Sequence, residues 1–479
     1  MGTMTRMLSV EPARPQAVRE HPWAPWLAVG IVGFGAFMGQ LDASIVTLAF
    51  PALQHRFHAG LAEVQWVSLS YLLVLVALLV PVGRWSDRGG RKLLYLYGFA
   101  LFSVASLACG LAPSLSALIG FRMVQAAGAA MLQANSIALV STSVGPALRR
   151  KALGLQAVAQ ATGLAFGPTI GGLIVGAAGW RWVFLVNPPV GLLAIVGGVF
   201  LLPRTRQHAR HTASDVPGVV LLTGTVAGLL LALSAGSGLR ISAPGLIAVA
   251  ALTAAGGAGL LWWERRTARP VLDRAVLTAP GAARGLAGAL AAYLILFGPL
   301  VLYPQLLSSH QRGITGAGLL LTALPAGFAL SAVLAERALP AGWADHLRCR
   351  LGGVITVLAA GLLTVVGSSA WLLTVLLLAL LGTGLGIYLP ANNAQVMGAV
   401  PATSAATAGG MVNMSRGIGT ALGVALVAMS LHLTRAAGGL AAGGRLTMVA
   451  LTVCAVLMTV VGSVGLRGPV RLPAPPDVG

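Results

Sequence analysis

Phe37-Met38-Gly39-Gln40-Leu41-Asp42-Ala43-Ser44-Ile45-Val46-Thr47 lies toward the end of the first long apolar run, Trp23 to Pro51. Asp42 is the one acidic residue, of eleven, that falls well inside an apolar segment; the others sit in tails, loops or span ends. A carboxylate placed in hydrocarbon is costly, so it must face a cavity, find a partner or carry a proton. Whatever the chain does, it has to employ Asp42.

The rest of the composition explains why that segment is a membrane segment. Of 479 residues, 57% are hydrophobic and only 9% charged, with a mean hydropathy of +0.87. A soluble domain carries about 25% charged residues. Apolar runs of about 20 residues recur along the chain, the length a helix needs to cross a bilayer. The fold class is therefore an all-α polytopic membrane protein. The net charge of +20 does not point to nucleic acid, because the basic residues are spread over short loops, as topology determinants are. The 29 arginines against two lysines are typical of a GC-rich bacterial genome. Cys109, Cys349 and Cys454 are odd in number and scattered, which gives neither a disulfide framework nor a metal site. The first apolar run ends in polar residues without a convincing cleavage site, so no cleaved signal peptide is expected.

Fourteen spans are expected, near 24–50, 66–83, 92–112, 114–140, 152–177, 181–202, 216–236, 241–263, 285–306, 316–337, 351–368, 371–390, 404–431 and 446–466. Trp23, Trp26, Trp180, Trp182, Trp262, Trp263 and Trp371 mark interfaces. With the N-terminus inside, most of the basic residues fall in inner segments, and an even number of spans returns the C-terminus to the same side. The expected location is a bacterial cytoplasmic membrane, with both termini cytoplasmic. Gly83-Arg84-Trp85-Ser86-Asp87-Arg88 has a worn echo in Gly342-Trp343-Ala344-Asp345-His346, and Gln133-Ala134-Asn135 echoes Pro390-Ala391-Asn392 at nearly the same offset. Two echoes in one register indicate duplicated halves, the architecture of many secondary transporters. The chain then divides into a tail (1–23), a six-helix half (24–203), an inserted helix pair (216–263), a second six-helix half (285–466) and a tail (467–479).

Several stretches carry more specific patterns. Gly83-Arg84-Trp85-Ser86-Asp87-Arg88-Gly89-Gly90-Arg91-Lys92 is read as a cytoplasmic loop between the second and third spans, with glycines for a tight turn and an acid able to meet a helix N-terminus or an arginine. Basic residues alone would make it only a topology loop. The joint pattern resembles the signature loop of the major facilitator superfamily. Phe121-Arg122-Met123-Val124-Gln125-Ala126-Ala127-Gly128-Ala129-Ala130 is similar to that superfamily's fourth-helix motif, with Ala126 in place of a glycine. Gly163 to Gly172, through Gly167-Pro168 and Gly171, resembles the antiporter motif of its fifth helix. The stretches at Asp42, at Trp180 to Pro189 and at Gly409 to Gly417 resemble marks of its fourteen-helix drug–proton antiporter branch. The resemblance spans about residues 25 to 466 and implies two six-helix halves around a central cavity.

Arg122 lies eight residues from Ser114, and Asp42 nine from Pro51. At about 1.5 Å per residue both sit roughly 12–14 Å below the outer surface, so they are natural partners. They form either a proton-coupling site, which the resemblance implies, or a purely structural ion pair. A contact of Asp87 that is made in one conformation and broken in another makes Gly83, Asp87, Arg88, Gly90 and Arg91 candidates for conformational gating. The resemblance implies sealing against leak for Gly163, Gly167, Pro168, Gly171 and Gly172, whose spacing also allows close helix approach. Gln125, Gln133, Asn413 and Arg416 are candidates for a substrate cavity, with helix-to-helix hydrogen bonding as the alternative for the last two. Gln133 stands where the family often has proline, so a differently bent fourth helix is expected. No further intramembrane acid occurs in the second half, which speaks against dications and for neutral, zwitterionic or monocationic substrates.

The expected activity is proton-coupled export of a hydrophobic small molecule by alternating access, driven by the proton gradient, with no cofactor or metal. Partners are the small hydrophobic substrate, protons and the lipid bilayer, with no nucleic acid, and the resembled fold works as a monomer. Lipid or glycolipid translocation and a sensor without flux are the alternatives. An enzyme is not expected, since no P-loop, metal cluster or nucleophile constellation is present.

Overall fold

The computed structural model describes residues 11, 14–144, 148–204, 215–239, 241–267, 270–271, 274–279, 281–307, 313–340, 342–366, 370–400, 405–434 and 439–463. Among the described residues, fourteen helices are long and apolar enough to cross a membrane. They are α1 (Ala24–Leu48), α2 (Trp66–Gly89), α3 (Arg91–Gly110), α4 (Leu115–Ser143), α5 (Arg149–Ala178), α6 (Asn187–Leu201) and α7 (Val216–Gly236). The remainder are α8 (Ala243–Arg266), α9 (Ala282–Leu307), α10 (Gly313–Ala338), α11 (Asp345–Val366), α12 (Trp371–Gly398), α13 (Ala405–Leu433) and α14 (Gly439–Ser463). Hydrocarbon cannot satisfy backbone N–H and C=O groups, so each span closes its own hydrogen bonds as a helix. Caps finish the ends: Ser114 accepts from the Ala117 N–H at 3.2 Å before α4, and Asp215 from the Gly218 N–H at 3.1 Å before α7. Below, the terminal end is the side where α1 starts and α14 finishes, and the far end is its opposite.

The helices pack in two sets with the same internal pairings. In the first, α1 packs on α5, α2 on α4, α3 on α4 and α6 on α3. In the second, α9 packs on α13, α10 on α12, α11 on α12 and α14 on α11. The two sets meet along two seams, α5 against α10 and α2 against α13. Without water between helices, contact has to come from shape, so small residues sit where backbones approach. A Cβ at Gly163 would collide with the Phe37 carbonyl, one at Gly167 with the Ser44 hydroxyl, and one at Gly171 would stand 2.7 Å from Ile45 Cγ1. That one face of α5 is thereby fitted to α1. Its neighbouring face, at Pro168 and Gly172, is fitted to α10, where Gly318 lies against the Pro168 carbonyl and the hydroxyls of Thr169 and Thr322 meet.

Helix α7 lies against both α2 and α13, and α8 packs chiefly on α7. Gln65 Nε2 donates to Ser234 Oγ at 3.0 Å, tying α7 to the first set, while Gly236 and Gly238 lie against Met429 and His432 of the second. Nearer the terminal end Val76 and Leu79 of α2, Leu222, Leu260 and Met414 of α13 share one apolar cluster.

Two local expectations change. The loop read at Gly83 to Lys92 is almost entirely helical: α2 continues to Gly89 and α3 starts at Arg91. Gly90 alone makes the turn, at φ +100°, a conformation open to glycine at little cost. The span read as 181–202 is broken, with a short helix Trp182–Leu185, then Val186, then α6. Pro188 and Pro189 explain the restart, since proline suits a helix's first turn and not its interior.

Candidate functional site

Asp42 and Arg122 meet. Arg122 Nη1 donates to Asp42 Oδ2 at 2.7 Å, and each residue is 1% exposed. The pair is well enclosed by hydrogen bonds. Gln125 Nε2 and Asn187 Nδ2 donate to Asp42 Oδ1 at 3.1 and 3.2 Å. Arg122 Nε donates to the Val67 carbonyl at 3.1 Å, and a second 2.7 Å bond runs from Nη1 to Gln125 Oε1. Ser106 Oγ accepts from both Gln125 and Asn187 and donates to the Phe184 carbonyl at 2.9 Å. Four helices, α1, α3, α4 and α6, thus each send a polar side chain to one buried knot. Burying both charges is tolerable because each oxygen of the carboxylate is satisfied.

A cavity of about 270 Å³ lies between the two helix sets, toward the terminal end from this knot. Its walls include Gln40 and Ala43 of α1, Tyr71 of α2, Gln133 of α4, Gln156 and Gln160 of α5, Tyr293 and Phe297 of α9, and Asn413 and Arg416 of α13. Both halves therefore line it. Tyr71 stands between cavity and knot. Its ring forms part of the cavity wall, and the Arg122 guanidinium carbon lies 4.1 Å from the ring centroid. A small second recess, bordered by Ala43, Thr47, Tyr71 and Arg122, continues past it.

Of the residues expected to line a substrate cavity, Gln133, Asn413 and Arg416 do so. Gln125 does not; it belongs to the Asp42 knot, because at three residues from Arg122 on α4 it points with it toward α1. α4 runs as one unbroken helix past Gln133. Gly163, Gly167, Pro168, Gly171 and Gly172 are buried on α5 in the contacts given above. Gly83 and Gly90 lie at the terminal end, where Glu11 Oε1 accepts from the Lys92 N–H at 3.1 Å. The side chains of Asp87 and Arg88 lie outside the described residues, and Arg91 begins α3. Tyr71, Ser106 and Asn187 were not singled out from the sequence. Asn187 alone had a signal, in its place beside Pro188-Pro189 within a quoted motif. Among the described residues, no group of three His, Cys, Asp or Glu is placed to hold a metal ion.

Comparison with known proteins agrees with this geometry. Residues 32–424 match the family described as Major Facilitator Superfamily. The chain is 32% identical over 420 residues to the tetracenomycin C resistance and export protein of Streptomyces glaucescens, covering 86% of this chain and 76% of that protein. It is 31% identical to the methylenomycin A resistance protein of Streptomyces coelicolor, over 84% of each. It is 32% identical to the multidrug resistance protein Stp of Mycobacterium tuberculosis, over 82% of this chain and 74% of that protein. Among solved structures, a POT family transporter superposes with a TM-score of 0.67 at 14% identity, covering 90% of this chain and 94% of that one. An inward-facing bacterial homolog of the human lysosomal transporter Spinster gives 0.62 at 17%, over 92% and 97%. A duplicated helical bundle with a cavity between its halves, matched along most of its length by one transporter family, has one assignment: the chain belongs to the major facilitator superfamily.

Proposed function

We propose that the protein is a proton-coupled antiporter that exports hydrophobic small molecules, drugs or related metabolites, from a bacterial cytoplasm by alternating access. The observation that carries this reading is the buried Asp42–Arg122 pair set directly behind a wall of the cavity. A proton on Asp42 removes the charge that holds Arg122, and Arg122 is stacked on Tyr71, which lines the cavity. Protonation is thereby passed to the cavity wall without the proton entering the cavity. The terminal end is taken as cytoplasmic, which makes this an inward-facing state with its far end sealed where α5 meets α10. Alternation then consists of parting that seam while the terminal ends close, with proton and substrate each biasing the two-state equilibrium. Resistance and export proteins among the relatives support the direction of transport.

The test is efflux from energised cells of a set of lipophilic dyes that includes a cation, a neutral compound and an acid. Wild type is compared with Asp42→Asn at equal membrane abundance, with and without a protonophore. Efflux of at least one dye that stops with the protonophore and is lost in Asp42→Asn upholds the reading. Equal efflux by the variant makes the pair structural. No efflux of any dye removes the export assignment.

A further inference from the structure

The charge of the cavity has a sign, and it is positive. Among the residues that line it, Arg416 is the sole side chain carrying a formal charge at neutral pH. The nearest acid, Asp42, stands behind Tyr71 with both oxygens already accepting hydrogen bonds. Arg416 itself is only partly satisfied. Nη1 donates to Asn413 Oδ1 at a long 3.3 Å, and Nε is buried with no hydrogen-bond partner among the described residues. Across the cavity wall, Gln156, 3% exposed, has its Nε2 in the same condition. Both residues line one small space, and each keeps a buried donor nitrogen that makes no hydrogen bond among the described residues. An unmet buried donor is unfavourable, and an anionic oxygen in the cavity is the partner toward which both side chains can turn. A cation in the same space would meet a like charge with little water to screen it.

The remaining wall describes the body of the ligand. Tyr71, Tyr293 and Phe297 supply aromatic surface, and the Arg416 guanidinium carbon lies 5.4 Å from the Tyr293 ring centroid. Flat rings pack against such a wall, with Gln40, Gln133 and Gln160 left for neutral polar substituents. We infer that this cavity selects planar aromatic acids, with Arg416 and Gln156 holding the ionised oxygen. This rests on the cavity being the substrate site of the transporter proposed above. It departs from the neutral, zwitterionic or monocationic cargo suggested by the lack of intramembrane acids in the second half. Coupling does not require the acid and the proton to share a group, because Arg416 belongs to one half and Asp42 to the other.

The experiment is equilibrium binding to the purified full-length protein in lipid nanodiscs, with no gradient, followed by fluorescence anisotropy. The probes share one ring system: anthracene-9-carboxylate, 9-(aminomethyl)anthracene as its ammonium, and 9-anthracenemethanol. The carboxylate is expected to bind at least tenfold more tightly than the ammonium, with the alcohol between them. Arg416→Gln should weaken the carboxylate at least tenfold and leave the ammonium equal or tighter, while Arg416→Lys restores part of the loss. Gln156→Leu, which alters no charge and so guards against misfolding of the arginine variants, should weaken the carboxylate several-fold. Equal or tighter binding of the ammonium, an Arg416→Gln variant that keeps the carboxylate, or no saturable binding of any probe overturns the inference. Should efflux prove independent of protons while this binding pattern holds, the antiport reading falls and the ligand class stands.

Discussion

Each member of the Asp42–Arg122 pair makes the other's burial tolerable, and the enclosing Gln125, Asn187 and Val67 carbonyl leave little to spare. Removing one partner leaves a lone buried charge, a loss on the order of 3–5 kcal/mol, whereas removing both leaves a neutral polar knot. Arg122→Gln alone is therefore expected to lower the thermal midpoint of the purified protein clearly. Asp42→Asn with Arg122→Gln should lie above either single variant. Additive losses in that cycle would show that the two side chains do not interact in the folded protein. Their meeting was legible in the sequence because depth along a span is a count of residues, and the two counts agree. Tyr71 and Ser106 were not legible for the complementary reason. Which way a membrane helix faces is not written in its polarity when lipid and helix neighbours are equally apolar, so rotation has to be read from packing.

At the scale of the helix, α5 does two jobs with adjacent rows of small residues. One row holds it against α1 inside its own half, and the other forms the joint to α10. These jobs separate experimentally. Gly167→Ala drives a methyl into the Ser44 hydroxyl, and overpacking of that kind costs about 1–3 kcal/mol. Its loss of thermal stability should be largely recovered by adding Ser44→Gly, and failure of that rescue would mean that α1 and α5 are not in this contact. Gly318→Val acts instead on the joint, where even a Cβ has no room beside the Pro168 carbonyl and Gly172. It should leave the fold intact, hold the far end ajar and slow export. A cysteine placed at Thr47, which is 1% exposed here, should then react faster with a membrane-impermeant maleimide added from outside, in a background lacking Cys109, Cys349 and Cys454. Unchanged labelling would remove α5–α10 as the outer seal. The spacing of the glycines was plain in the sequence, but their division between two neighbours was not, because nothing local tells which helix lies against which row. The same limit explains Gly83 to Lys92, where several glycines suggested a loop and only Gly90 turns the chain.

For the whole molecule, the positive cavity and the proposed proton site at Asp42 together set the electrical character of the proposed cycle. One proton entering and one monoanion leaving move charge in the same sense, about 2.3 kcal/mol per charge for each 100 mV. Export of an aromatic acid is thus expected to depend steeply on membrane potential. Potassium with valinomycin should slow it in vesicles even with the pH difference maintained, and indifference to potential would exclude that charge balance. The halves and their repeated pairings were foreshadowed by two sequence echoes; the setting of α7 and α8 was not, since a lipid-facing hairpin shows the same apolar run wherever it docks. In the proposed cycle, that setting breaks the symmetry of the rocking motion. The joint between α2 and α13 is stitched on its outside by α7, which holds Gln65 of one half and lies against Met429 and His432 of the other. Among the described residues, the joint between α5 and α10 has no such cover, and Phe166, Leu173, Leu319 and Leu330 of those two helices are at least half exposed. A molecule dissolved in the bilayer therefore meets one bound edge and one free edge. For the transporter proposed above, the two-fold rotor becomes a one-sided hinge, with one covered joint and one joint that faces lipid.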